Sequence, residues 1–271
     1  MKLKWIQIWK NIGVKVFGII SFGFLYIPVI IMIIFSLDEN RNNQIWSRFS
    51  TKWYAKLLKD EALWEIFGRT VFIAVITTVV VVIVGTLGAV ALSKLDFRGK
   101  TIIDNALYLP LIVPQIVIAI MIMLGFNAFQ IPLGLGAMIV GNITVTLPYV
   151  YITVKSRMVG MDPSLEEASA DLGAEKIYTL LHVILPGIFP GIVSGGFLAF
   201  TIGLDNLIIM NFLSTVKTPT LPVKVYSLLK TGIPPEINAL STIVLFILSV
   251  GVSVYLMITH KKNCKKVIVE E

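Results

Sequence analysis

The sequence predicts an all-α fold, a polytopic membrane protein of about six transmembrane helices with a charged cytoplasmic helical element between spans four and five. Composition is the first reason: of 271 residues, 56% are hydrophobic and only 14% are charged, against roughly 25% charge in soluble domains. The second is spacing. Apolar runs long enough to cross a hydrocarbon core, which takes about 20 residues as a helix, recur at approximately 17–37, 69–92, 104–126, 135–154, 187–212 and 237–259. The third is a polar, well-capped segment at about 155–186, far longer than a tight connection needs. The expected organisation is a cytoplasmic N-terminal segment at 1–16, a single transmembrane domain over 17–259 that contains the 155–186 loop, and a basic cytoplasmic tail at 260–271.

The first span follows the basic segment Met1 to Lys15. It is long for a signal-peptide core and no small-residue cleavage site follows, so it is expected to remain as an anchor. In the loop beyond it, Trp53, Tyr54, Leu57 and Leu58 suggest a helix at the membrane interface, where aromatic rings are favoured. Pro110 and Pro114 should kink the third span. In the fourth, Asn142, Thr146, Tyr149 and Thr153 share one helical face. Gly191-x-x-x-Gly195, with Gly196 adjacent, gives the fifth a smooth face for close helix packing. An even number of spans puts both termini on one side, and cation counts select it. Lys2, Lys4, Lys10, Lys15, Lys94, Arg98, Lys100, Lys155, Arg157, Lys176, Lys261, Lys262, Lys265 and Lys266 mark the cytoplasmic face. The opposite face carries Arg41, Arg48, Lys52, Lys56, Lys59, Lys217, Lys224 and Lys230, the earlier ones interleaved with Asp38, Glu39, Asp60 and Glu61, so the bias is moderate.

Several functions fall away. The net charge of +7 does not indicate nucleic acid, because the cations flank apolar spans as topology requires. Cys264 stands alone, and His182 and His260 lack zinc-ligand spacing, so no metal site is expected. The chain carries no G-x-x-x-x-G-K-[ST] phosphate loop and no nucleophile–base pattern. No catalytic residue and no bound cofactor are therefore expected, and the chain alone is not an enzyme.

The polar loop is built to be rigid. Asp162 reads as an N-cap with Pro163 at the first helical position; Ser164 with Glu167 would alternatively form a capping box. Leu165, Ala168 and Leu172 then fall on one face while Glu166, Glu167 and Asp171 project outward. Gly173 supplies a C-cap. A second helix runs from about Ala174, with Ile177, Leu180, Leu181 and Ile184 at helical spacing, until Pro186 is expected to interrupt it.

The string Glu167-Ala168-x-x-x-Leu172-Gly173-Ala174, followed by Leu185-Pro186 and Pro190-Gly191, resembles the EAA loop of ATP-binding-cassette importer permeases, with Glu-Ala-Ala written here as Glu167-Ala168-Ser169. That resemblance implies a coupling helix seated in a cleft of a separate ATPase, with Glu166, Glu167, Ala168, Asp171, Leu172, Gly173 and Ala174 as the coupling residues. The likeness narrows along the chain. Leu25-Tyr26-Ile27-Pro28, Thr51-Lys52-Trp53-Tyr54, Phe97-Arg98-Gly99-Lys100, Leu221-Pro222-x-Lys224-x-Tyr226-Ser227 and Pro235-Glu236-x-Asn238-Ala239-Leu240 resemble the permease subunit of spermidine and putrescine importers. The implied partners are a second related permease, two ATPase subunits that bind ATP and Mg, an external substrate-binding protein, a polyamine and the inner-membrane lipid.

A polar route has its own candidates. Asp205 lies inside the fifth apolar run, where an ionised group costs about 2.5–3.5 kcal/mol and so faces protein, water or a cation. It is either a polyamine contact or a water-satisfied residue near the external end. Polyamine permeases often show two acidic residues here, whereas this chain has Asp205 followed by Asn206. Tyr149 offers a cation–π face. Asn142 and Thr146 either line the pathway or bond between helices, and Glu236 either draws cations to the external mouth or is merely solvated. Other cargo, such as iron or phosphonate, and an ion-gradient-driven secondary transporter or channel using Asp205, are the competing readings.

Overall fold

With water excluded, a backbone can satisfy its own polar groups only as helices or closed barrels, and the described residues are helical apart from loops and one isolated bridge between Asp38 and Phe49. The computed structural model describes the backbone of residues 2–40, 46–229 and 234–269, and the side chains of 15–40, 46–229, 234–251 and 253. Arg41 and Lys230 lie outside the described residues, as do the side chains of Lys2, Lys4, Lys10, His260, Lys261, Lys262, Cys264, Lys265 and Lys266. In chain order the helices are α1 (Lys2–Ser36), α2 (Lys52–Lys59), α3 (Glu61–Lys94), α4 (Lys100–Ile112), α5 (Gln115–Ala128), α6 (Leu135–Val159), α7 (Ser164–Asp171) and α8 (Lys176–Thr179). A π-helical turn (Leu180–Ile184) leads into α9 (Leu185–Asp205), followed by α10 (Leu207–Leu213), α11 (Leu221–Leu228) and α12 (Pro235–Val269).

Lys15–Ser36, Glu61–Lys94, Leu135–Val159 and Lys176–Asp205 are long and apolar enough to span a membrane, and Pro235–Gly251 is a shorter apolar helix. The expected third span is not merely kinked. α4 and α5 meet at a bend of 108°, because Pro114 lacks an N–H and drives Val113 into an extended conformation at ψ 130°. Pro110, by contrast, stays inside α4.

Two compact units emerge, one formed by 1–61 with 228–271 and the other by 62–227. In the first, α12 packs against α1 and α2. Trp53 and Leu57 are buried there. The Trp53 indole N–H finds the Asp38 carbonyl at 2.6 Å, and Tyr54 and Ser36 share a 2.7 Å hydroxyl–hydroxyl hydrogen bond. Leu58 alone of the expected quartet's aliphatic pair faces out.

In the second unit α6 is central: 56% of its most apolar window is buried, against 33% in each of the spans built on α3 and α9. Glycine makes this possible. A Cβ at Gly195 would lie 3.2 Å from the Val150 Cα, and one at Gly191 would lie 3.0 Å from the Arg157 Cβ, so α9 and α6 touch nearly backbone to backbone along the expected small-residue face. Val81, Ala89, Val150, Val154, Ile188 and Ala199 form the core on this seam. A second core joins α3, α5, α6 and α10 through Ile73, Ala119, Met138, Val145, Ile209 and Leu213.

Pro186 does not interrupt the helix entering the fifth span. The backbone widens instead to a π turn in which the Leu185 N–H donates to the Leu180 carbonyl, five residues back. That extra residue re-registers the ladder around a proline that has no N–H to give.

Candidate functional site

The loop between α6 and α9 folds from its caps inward. Asp162 accepts the Ser164 N–H at 3.0 Å, the N-cap geometry expected, with Pro163 already helical at φ −59°. This N–H and the Ser164 hydroxyl hold the Asp162 carboxyl below its usual value. At the other end Gly173 is left-handed at φ 80°. The Ala174 N–H reaches the Ser169 carbonyl at 3.1 Å and the Gly173 N–H reaches that of Ala170 at 2.9 Å. These two bonds define a Schellman stop. A buried 2.9 Å hydrogen bond between the Ser169 and Thr179 hydroxyls then clamps α7 to α8.

The faces of α7 meet the expectation only in part. Leu165 and Leu172 are 52% and 88% exposed, and Ala168 is exposed with them, while Ser169 is buried. Glu167 and Asp171 also project outward. Glu166 turns inward, where its carboxylate pairs with the Lys94 ammonium at the end of α3. Beside this surface an open groove of about 510 Å³ is lined by Ser169, Leu172, Gly173, Ala174, Glu175 and Tyr178.

The fifth span breaks at Asn206, whose side-chain carbonyl caps α10 by accepting the Ile209 N–H at 3.2 Å. Asp205 is therefore the last residue of α9, exposed at the junction of two half-helices. The structure gives its neighbour Asn206 a capping task that an amide performs well.

The other sequence-derived residues of the polar route lie on α6 and α12. Asn142 and Thr146 are wholly buried. The Thr146 hydroxyl donates to the Asn142 carbonyl one turn back at 2.6 Å, and both polar atoms of the Asn142 side chain are without a partner among the described residues. Among the described residues neither side chain makes a hydrogen bond to another helix. Tyr149 is half-buried on the same helix, its carbonyl accepting from the Thr153 hydroxyl at 2.7 Å. Glu236 belongs to the other unit, where it is buried and ion-paired with Lys56 at 2.5 Å, rather than solvated.

Sequence reasoning missed one cluster. On the α4–α6 seam the Lys155 ammonium sits 2.7 Å from each carboxylate oxygen of Asp104, and the Tyr151 hydroxyl donates to Oδ1 at 2.6 Å. A signal was available: Asp104 is a carboxylate at the start of the third apolar run, and Tyr151 and Lys155 are four residues apart on one face. Among the described residues no group of three or more His, Cys, Asp or Glu is arranged to hold a metal ion.

Several apolar spans, two of them broken, with a rigid polar hairpin between α6 and α9, define a multi-pass membrane permease. The profile described as binding-protein-dependent transport system inner membrane component matches residues 81–261. The spermidine/putrescine transport system permease protein PotC of Haemophilus influenzae is 37% identical over 91% of this chain and 96% of its own length. The putrescine transport system permease protein PotI of Escherichia coli is 35% identical over 84% of this chain and 83% of its own. Among solved structures, a bacterial ABC transporter involved in import of the acidic polysaccharide alginate superposes with a TM-score of 0.64 at 20% identity, covering 93% of this chain and 96% of that one. The chain belongs to the binding-protein-dependent transport system inner membrane component family and is a multi-pass protein of the inner membrane.

Proposed function

We propose that this chain is one transmembrane subunit of an ATP-driven importer that takes up spermidine or putrescine from an external binding protein. It would pair with a second related permease and two ATPase subunits, which bind ATP and Mg, and would itself be non-catalytic with both termini in the cytoplasm. The observation that carries the reading is α7: a short helix, fixed at both caps, that turns Leu165 and Leu172 outward beside Glu167 and Asp171. An exposed leucine on an eight-residue helix, with a second at its C-cap, makes sense in a polar loop as a surface completed by a protein partner. The polyamine assignment rests on the likeness to PotC and PotI over most of the chain.

Mechanically, closure of the ATPases would push α7. Because α7 is clamped to α8 through Ser169 and Thr179 and tied to α3 through Glu166 and Lys94, it would carry α3, α6 and α9 as a group. The half-helix junction at Asp205 would then change its exposure to either side, which is alternating access. An exposed carboxylate at a helix break suits an ammonium cargo, and Tyr149 is the aromatic candidate on the route.

Uptake of labelled spermidine and putrescine, measured in cells lacking the chain and in the same cells with it restored, tests this. Restored uptake that survives collapse of the proton gradient while ATP persists is expected. Restored uptake that vanishes with the gradient would point instead to a secondary transporter, and no polyamine uptake would redirect the search to iron, phosphonate or another small solute.

A further inference from the structure

We propose that Asp104, Tyr108 and Tyr151 form an alkylammonium-binding site on the α4–α6 seam, filled here by the butylammonium side chain of Lys155 and open to the aminobutyl end of a polyamine when Lys155 withdraws. The polyamine part of this inference rests on the cargo reading above. The site is a cage of complementary parts. Both Asp104 oxygens contact the Lys155 Nζ at 2.7 Å, and the Tyr151 hydroxyl fixes Oδ1 at 2.6 Å. Two rings complete it: the ammonium lies 5.2 Å from the Tyr151 centroid and 5.8 Å from that of Tyr108, within the range of a cation–π contact. The rings themselves meet edge to face at 6.1 Å and 80°, so the walls are mutually supported.

Chemistry connects the cage to its cargo. A lysine side chain is four methylenes ending in a primary ammonium, the same group that ends putrescine and the longer arm of spermidine. A cage that accepts one accepts the other. The cage is also reachable: no residue of α4 is buried, and the side chains of Lys155 and Asp104 remain 26% and 29% exposed. Its two halves sit on different helices, with the carboxylate and Tyr108 on α4 and the occupying ammonium on α6 beside Tyr151. Movement of α4, the first half of the broken span, against α6 would pull the lysine from the carboxylate and expose the cage. Lys155 lies near the loop end of α6, so in the proposed orientation this is a late, cytoplasmic station at which the lysine re-enters and displaces the departing amine.

The test is chemical rescue in the assembled transporter. Lys155→Ala empties the cage, and n-butylammonium should raise the melting temperature of that variant in a saturable way. n-Butanol and tetramethylammonium should not, and neither should n-butylammonium act on wild type or on the Asp104→Asn/Lys155→Ala double variant. Putrescine should substitute for n-butylammonium. Should Lys155→Ala not assemble, expression in medium containing n-butylamine replaces the melting assay, with recovery expected for the single variant and not for the double. No rescue, or equal rescue of the double variant, overturns the site; rescue by n-butylammonium but not putrescine overturns its polyamine role. Absence of polyamine uptake by wild-type cells would sink the cargo reading while leaving the rescue result standing, so the two failures are told apart.

Discussion

Val150 is the residue on which three helices close, and substituting the glycines on either side of it should have different consequences. It is fully buried on α6, with Gly85 of α3 on one side and Gly195 of α9 on the other. A Cβ at Gly195 would lie 3.2 Å from the Val150 Cα, 3.4 Å from its Cγ1 and 3.6 Å from the Thr153 Cβ. Carbon atoms prefer about 3.5–4.0 Å, so Gly195→Ala requires α9 and α6 to part by several tenths of an ångström against backbone, which cannot rotate away. Overpacking of this kind costs about 1–3 kcal/mol, and alanine's better helix propensity returns roughly 1 kcal/mol. A net loss of up to ~2 kcal/mol is expected, or a melting temperature lower by several degrees in the purified transporter. Gly85→Ala differs in degree. Its Cβ would meet the Val150 Cγ1 at 3.0 Å and Cβ at 3.1 Å before the Tyr151 backbone N at 3.3 Å, and Val150→Ala removes the first and tightest of these contacts, whereas at Gly195 the tightest is to the Val150 Cα. In double-mutant cycles, Val150→Ala should therefore relieve part of the Gly85→Ala defect and little of the Gly195→Ala defect. A Gly195→Ala variant more stable than wild type, or equal relief of both, would refute the claim that backbone contact sets the α6–α9 seam.

Three further outcomes follow from single groups. Glu167→Lys should leave the stability within about 0.5 kcal/mol of wild type, since the residue is exposed, yet abolish co-purification of the ATPase and uptake; intact docking would remove Glu167 from the coupling surface. Asp205→Asn should likewise be neutral to stability and reduce polyamine uptake, and unchanged uptake would make the carboxylate structural. The Asp162 cap should be pH-sensitive in one direction: its folded carboxyl is held below the usual 3.8 by the Ser164 N–H and hydroxyl, so its contribution is complete above that value and fades as pH falls through the lower folded one. Amide-exchange protection of Ser164 and Leu165 relative to the core reads this, and Asp162→Asn should remove the pH dependence.

Local features of the sequence translated faithfully. The Asp162 cap, the left-handed Gly173 and the small-residue face of Gly191 and Gly195 depend on neighbours within one or two turns, and the structure has each. The two prolines show where a local rule stops. At Pro114 the missing N–H ends one helix and starts another across a 108° bend, whereas at Pro186 a π turn absorbs the same defect without a break. The sequence states that a hydrogen bond is lost; the surrounding packing decides how the chain replaces it. Long-range pairing was equally hidden. Asp104 and Lys155 are 51 residues apart, and nothing local to Asp104 indicates that a lysine on another helix answers it.

Helical period assigned Asn142, Thr146 and Tyr149 to one face correctly, yet a shared face does not say whether that face meets a pore or a core. Here it meets core at Asn142 and Thr146. The same ambiguity explains α7, where the usual inference, apolar inward and charged outward, fails for a physical reason. That inference assumes the second medium is water. On α7 the interior contact is made by the Ser169 hydroxyl and the Glu166 carboxylate, both satisfied by specific partners in Thr179 and Lys94. Leu165, Ala168 and Leu172 are left outside together with Glu167 and Asp171. A helix whose polar groups are spent on holding it in place, and whose leucines are left free, has its unmet burial on the far side. Under the proposed assembly that side is the ATPase cleft, and the seven coupling residues divide accordingly: Glu166 anchors the helix to α3, Gly173 and Ala174 close it, and Glu167, Ala168, Asp171 and Leu172 present it.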